Sequence, residues 1–263
     1  MKFLRLLSIA AIVVVLTMLT QVGGIVYLGV YFVFKKHLVK RWISFILSYL
    51  LFTFLIIPWL APLFGRERIA TNENIKVHYF MTALCNRNYV NPDLNSVLHH
   101  TSLELNKRYP TAQIRCLDAN FPFWDGFPLL PHLSHNDGKK LDIALFYNRK
   151  GEGFTNDKPS RSGYGIFESP TVGEYDQISH CVQKGYWQYS ISKYLTFGQP
   201  NPELQFAPKP TRLVLSSLLQ HQDVSKLFIE PHLRTRLGIS HAKLRFHGCR
   251  AVRHDDHIHL QIK

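Results

Sequence analysis

The sequence predicts an α+β domain built on a small antiparallel sheet with flanking helices, preceded by a two-helix transmembrane hairpin. Three observations predict it. No charged residue occurs from Leu6 to Phe34 or from Trp42 to Phe64. The C-terminal "HIHLQIK" alternates cleanly between polar and apolar positions. Between these ends, stretches of helical spacing and strand-like runs follow one another without an internal repeat.

Each charge-free run exceeds the roughly 20 apolar residues that cross a bilayer. A cleaved signal peptide with Lys2 and Arg5 as its basic start would account for the first run but leave the second unexplained. A retained hairpin over residues 1–64 accounts for both. Its connector holds Lys35, Lys36, Lys40 and Arg41. By the positive-inside rule this connector faces the cytoplasm and both ends of the hairpin face outward. A polar linker is expected over residues 65–76, and a domain on the outer side of the membrane over residues 77–263.

Within that domain "NPDLNSVLHHTSLELNKRYP" reads as a helix. Pro92 stands at its first position, Leu94, Val97, Leu98 and Leu105 are helically spaced, and Pro110 stops it. "LDIALFYN" is strand-like. Residues 149–210, rich in Gly, Pro, Ser, Tyr and charge, read as a long excursion of loops and short elements of the kind that shapes a cleft. "TRLVLSSLLQHQ" is a helix, "SKLFIE" a short buried strand, and "PHLRTRLG" a helix opened by Pro231 and closed by Gly238.

The chain carries 31 Lys+Arg against 18 Asp+Glu. Six of the basic residues fall in the first 64, leaving 25 against 18 in the remainder, a net of +7. Such a surface attracts anionic lipid, nucleic acid or an acidic polymer such as cell wall. No basic run alternates with aromatics, so no nucleic-acid partner is expected. Cys85, Cys116, Cys181 and Cys249 form no CxxC pair, which argues against a cysteine-rich zinc site. They permit two disulfides in an oxidising compartment, or four reduced buried thiols.

Two segments carry the chemistry. "PHLSHNDGKKLDIALFY" sets His132 and His135 three apart and Asp142 seven residues after His135, at the start of a strand-like run. A carboxylate buried there needs a partner, and a metal is a good one. In the C-terminal strand, residues two apart share a face, so His257 and His259 emerge side by side, with Ile258, Leu260 and Ile262 opposite. His254 lies three residues upstream. A catalytic zinc commonly takes three His or Asp/Glu ligands and leaves a position for water. His135, Asp142 and one histidine of the pair would supply that set, and the other histidine would stand where it can take a proton from the water.

These residues resemble the lysostaphin-type and D-Ala-D-Ala metallopeptidase group, which has the hedgehog/DD-peptidase fold, and within it the penicillin-insensitive murein endopeptidase branch. The shared patterns are HxxHxxGxxxD, here His132, His135, Gly138 and Asp142, and HxxHxH, here His254, His257 and His259. The two motifs cover about 20 residues, and the order of elements extends the resemblance over about residues 90–263. The resemblance implies a single Zn2+ on His135, Asp142 and His259, with His257 as general base and His254 and His132 as further active-site histidines. It implies hydrolysis of amide bonds in peptidoglycan stem peptides or cross-links. With the hairpin, this implies a bacterial inner (cytoplasmic) membrane protein whose catalytic domain lies on the periplasmic side. Lys140 stands where a second Asp is common in the group, and residues 149–210 match nothing in it. A non-catalytic wall-binding or sensory domain is the competing expectation, and a purely structural membrane protein a third. The intact set of six histidine and aspartate positions favours the enzyme.

Overall fold

The computed structural model describes residues 2–263. The chain forms two compact units, each assembled from separate stretches. The first takes the residues up to Ile69, Phe80–Pro92 and Asp118–Lys139; the second takes Ala70–Tyr79, Asp93–Leu117 and Lys140–Lys263.

The first unit opens with α1 (Lys2–Thr20), α2 (Gly23–Val33) and α3 (Leu38–Leu51). The first apolar run is therefore not one helix. It breaks at Gln21, whose φ is +67°. Gly24 then lets α2 fold back against α1, since a Cβ there would sit 2.0 Å from Thr17 Oγ1 and 2.6 Å from the Val13 carbonyl. At the far end of α2 the Lys35 carbonyl accepts from the Arg5 guanidinium at 2.8 Å, so α1 begins where α2 ends. The first of the two expected helices is thus split into α1 and α2, while two long apolar helices are present as expected. Two stretches, Phe3–Thr20 and Leu38–Phe64, are long and apolar enough to cross a membrane. The 11 residues of α2 rise only about 16 Å, about half the thickness of a hydrocarbon core.

Beyond α3 the helix widens into a π turn over Phe52–Ile56, then continues through α4 (Ile57–Leu60) and a 3-10 turn over Ala61–Phe64. The π turn has a local cause. The Ile57 N–H bonds the Phe52 carbonyl, and the next such bond, to Thr53, would need an N–H that Pro58 lacks. The Thr53 carbonyl instead accepts from the Arg68 guanidinium. Arg68 lies on β1 (Glu67–Arg68), which pairs antiparallel with β3 (Tyr89–Val90). The short α5 (Phe80–Leu84) completes the regular structure of this unit. Its core gathers Tyr27, Phe45, Tyr49, Ile57, Ala61, Tyr89 and Phe123.

The second unit is built on a six-stranded sheet: β2 (Ile75–Val77), β4 (Ile114–Cys116), β5 (Lys140–Ala144), β9 (Val224–Phe228), β10 (Leu244–Arg245) and β11 (His257–Ile262). Their order is β10-β9-β11-β5-β4-β2. The four central strands pair antiparallel, whereas β10 joins β9 and β2 joins β4 in parallel. The sheet is thus mixed rather than purely antiparallel. Its α+β character agrees with the sequence. The expected helices appear as α6 (Pro92–Asn106), α8 (Pro208–Gln220) and α9 (Pro231–Arg236). Leu94, Val97, Leu98 and Leu105 of α6 and Val214, Leu215 and Leu218 of α8 are fully buried, as are Leu141, Ile143, Ile258 and Leu260 of the central strands. The 149–210 excursion adds β7 (Gly153–Thr155) and β8 (Leu204–Phe206), which pair with β6 (Tyr147–Arg149) in a second, three-stranded sheet, together with α7 (Gln177–Gln183) and a 3-10 stretch over Trp187–Tyr194. A disulfide between Cys181 and Cys249 ties α7 to the loop that leads into β11. Cys85 and Cys116 are free thiols.

Candidate metal centre

In the second unit the pairing of β11 with β5 sets His259 directly across from Asp142, and His257 across from Ala144. Residues opposite one another in an antiparallel ladder point to the same face. Asp142, His257 and His259 therefore share one face, while Ile258, Leu260, Leu141 and Ile143 fill the other. His259 Nδ1 lies 2.9 Å from Asp142 Oδ1. The other oxygen, Oδ2, accepts from the Tyr164 hydroxyl at 2.8 Å and lies 3.6 Å from His257 Nε2. All three strand residues are buried: Asp142 is 0 %, His257 1 % and His259 3 % exposed.

His257 is oriented from behind. Its Nδ1 is 2.5 Å from Asp256 Oδ1, and Asp256 Oδ2 accepts from the Gly165 N–H at 2.7 Å. Gly165 has a φ of +83°, and a Cβ there would meet the Ser192 carbonyl at 2.4 Å, so only glycine brings its N–H to this carboxylate. Burial pulls the His257 imidazole down, but the Asp142 and Asp256 carboxylates outweigh it and carry its pKa up to about 9. His254 goes the other way: burial, with His257 and His259 beside it, holds its pKa well below the usual imidazole range. Its ring centroid lies 4.9 Å from that of His257 and 5.6 Å from that of His259. The His254 backbone is fixed by Glu230, which accepts from its N–H at 2.9 Å and from the Tyr189 hydroxyl at 2.5 Å. Burial raises the Glu230 pKa to about 7.

His132 and His135 lie in the first unit, on a stretch without regular structure. His135 Nδ1 is 2.8 Å from the Ala119 carbonyl. A carbonyl only accepts, so Nδ1 donates. His132 Nδ1 lies 3.2 Å from Asp118 Oδ2, which also accepts from Arg87 at 2.6 Å. The two rings stand 5.4 Å apart, and both residues are buried. This stretch is gathered by Arg66, itself 2 % exposed. Its guanidinium donates to the Phe121 and Phe123 carbonyls, each at 2.6 Å, and pairs with Asp125. Gly138 ends the stretch with a φ of +79°, and a Cβ on it would lie 3.1 Å from Arg66 Nε. The glycine of the HxxHxxG pattern is thus required by a left-handed turn and a close arginine.

Of the six sequence-predicted residues, His132 and His135 belong to the first unit, and Asp142, His254, His257 and His259 to the second. No sequence motif marks Asp256, Tyr164, Glu230 or His247. Asp256 and Asp255 precede β11, where alternation says nothing of direction. Asp255 instead holds Arg253, whose Nε donates to it at 2.6 Å. His247, whose ring lies 4.5 Å from that of Phe228 and 5.5 Å from that of His254, has no motif to mark it. No protein-family model matches the chain. No curated protein matches it significantly.

Proposed function

We propose that this chain is a membrane-anchored zinc peptidase that hydrolyses amide bonds of peptidoglycan stem peptides or cross-links. The observation that carries the reading is the Asp142–His259 pair, two buried metal-ligand side chains set opposite each other in a ladder beside His257. His132, His135 and Asp142 are buried residues of types able to hold a metal ion, and the motif spacing assigns His135, Asp142 and His259 as ligands. The donor set suits zinc, which takes imidazole and carboxylate in three-ligand catalytic sites. The Nδ1–H of His135 is held by a carbonyl, the outer hydrogen bond that ligating histidines characteristically make. Zinc bound there would lower the pKa of a water toward ~7 and polarise the scissile carbonyl.

The chain's own groups do the rest. Asp256 holds His257 through Nδ1, with Nε2 3.6 Å from Asp142 Oδ2; a zinc held by Asp142 would offset the carboxylate charge that raises the His257 pKa, and the neutral ring would then take a proton from the attacking water and return it to the leaving amine. His254 and His132 offer N–H groups to negative charge that develops on the carbonyl oxygen. Tyr164 fixes the rotamer of Asp142.

The membrane reading places the N-terminus and the 35–41 connector together in the cytoplasm, because α1 and α2 run back to back. All six basic residues of the first 64 then lie on one side, and the chain leaves Phe64 on the other, in the periplasm of a bacterial inner membrane. Retention of α1 is supported by Gln21, whose amide bonds Phe123 both ways at 2.9 Å.

The test uses the full chain in nanodiscs with purified cross-linked peptidoglycan. Wild type is expected to hold one zinc per chain and release new peptide ends; His257→Ala is expected to keep the zinc and lose about 10²–10⁴ in rate. A wild-type chain with no zinc and no new ends would end the enzyme reading. Sedimentation with intact wall would identify a binding module instead. A reporter fused after Lys263 is expected to signal outside the cytoplasm.

A further inference from the structure

We propose that the unit carrying His132 and His135 is itself seated in the outer leaflet of the bilayer, with lipid acyl chains as the partner of its exposed apolar face. This rests on the membrane-anchored reading above. The basic connector ends at Arg41. From Trp42, a hydrocarbon core of about 30 Å at about 1.5 Å per residue takes up roughly 20 residues. The outer boundary then falls near Pro62, well beyond the level at which α1 ends.

There Thr20 meets two later residues: Asn86 Nδ2 donates to its carbonyl at 3.2 Å and lies 3.4 Å from the Tyr49 hydroxyl. Tyr49 is less than halfway along Leu38–Phe64. The remainder runs beside the unit's non-helical stretches. Phe54 stacks on Phe80 with ring centroids 6.3 Å apart, the Tyr49 hydroxyl donates to the Leu84 carbonyl at 2.6 Å, and Phe64 meets Phe123 and Trp124 at 4.8 and 6.4 Å. Residues 80–84 and 121–124 are thus at the depth of the outer leaflet.

Their surfaces fit that depth. Phe80 is 63 % exposed and Trp124 60 %, next to Trp59 at 83 % and Leu63 at 80 %. In water this would be an unusually apolar face; in lipid it is the required one. Backbone irregularity at such depth is tolerated only where polar groups are satisfied internally. The Thr53 carbonyl that Pro58 leaves open is met by Arg68, and the Gln21 turn by Phe123. The face also has an edge. Just past Phe64, Arg66 pairs with Asp125, whose side chain is 79 % exposed. That marks the water side, and Trp59 and Trp124 stand where interfacial tryptophans gather. The same stretch continues to Leu133, 57 % exposed between the buried His132 and His135. The histidine pair therefore rides at the membrane surface, and cleavage is confined to bonds that reach it.

The test is nitroxide labelling of the full chain in phospholipid vesicles, in a Cys85→Ser background with the disulfide kept. Labels go at Phe80→Cys, Trp124→Cys and Leu133→Cys, with Leu47→Cys as the helix control and Val172→Cys as the water control. Collision with apolar oxygen is expected to exceed collision with a water-soluble nickel chelate at the three test sites, as at Leu47, and to fall below it at Val172. Chelate-dominated collisions at the test sites with Leu47 still in lipid would overturn this inference and leave the anchor standing. Chelate-dominated collisions at Leu47 too would overturn the anchor. Low collision with both reagents would show that another protein or a second copy covers the face, and would also overturn it. For any label that frees the Cys181 and Cys249 thiols through misfolding, Trp124 alone, left by Trp42→Phe, Trp59→Phe and Trp187→Phe, gives a second readout. Quenching by shallow bromine-labelled lipids supports the seat, and none overturns it.

Discussion

The two histidine-bearing regions are held in place by different physics. Asp142 and His259 project from paired strands whose far faces, Leu141, Ile143, Ile258 and Leu260, are wholly buried. A one-residue slip would turn every one of these side chains over, so the core itself fixes the register. His132 and His135 sit on a stretch with no ladder of its own, gathered by the guanidinium of Arg66 and ended by Gly138. Sheet-borne residues are positioned by a whole ladder; the loop-borne pair is positioned by individual polar contacts, of Arg66, Asp118 and the Ala119 carbonyl.

That contrast can be broken from either end. The largest effect is expected from His259→Ala: zinc content and hydrolysis fall to background while the unit stays folded, because the apolar face of β11 is untouched. Metal analysis and circular dichroism on one sample check both halves. Arg66→Ala is expected to remove several charged hydrogen bonds worth about 1.5–3 kcal/mol each and to open residues 121–138 to protease, with metal lost as a consequence. Arg66→Lys keeps the charge without the fork and is expected to rescue little. Protection of that stretch in the alanine variant would show that the loop holds itself. A smaller effect is expected from Asp256→Asn, a fall of about 10–100-fold in kcat with KM and zinc unchanged, read from steady-state kinetics.

The smallest expected effect is a pH slope. Folded Glu230 has its pKa near 7 rather than the usual 4.5, so between those values the folded state binds a proton that the unfolded state has lost. Stability therefore falls as pH rises through that window, by at most about 1.4 kcal/mol per pH unit from this group. Glu230→Gln is expected to flatten that part of the profile of thermal unfolding temperature against pH. An unchanged slope would assign it to Glu168, which burial also raises to about 7.

What the sequence disclosed follows the same division. Strict alternation placed His257 and His259 on one face of β11, and helical spacing bounded by proline placed α6, α8 and α9, because those signals are local. The break at Gln21 was missed, since an uncharged run reads as one helix until a turn is stabilised by something distant, here Phe123. Arg66 reads as part of a polar linker because nothing near it in sequence needs a buried cation; its carbonyl partners lie 55 and 57 residues on. The parallel edge strands β2 and β10 were missed for a related reason, as three and two residues are too few for a period to show. The Cys181–Cys249 pairing links positions 68 apart and carries no spacing signature.

The position of Arg66, two residues past Phe64, has a practical meaning. A membrane protein is often studied by trimming its anchor and expressing the remainder. Here the natural cut, anywhere from Arg66 to the middle of the polar stretch after it, discards the side chain that shapes the histidine loop. A truncated product is expected to keep its sheet, its disulfide and the three imidazoles beside Phe228, and to lose the order of the loop that carries His132 and His135. On the peptidase reading proposed above, the anchor belongs to the catalytic apparatus, and the full chain is the specimen in which to look for activity.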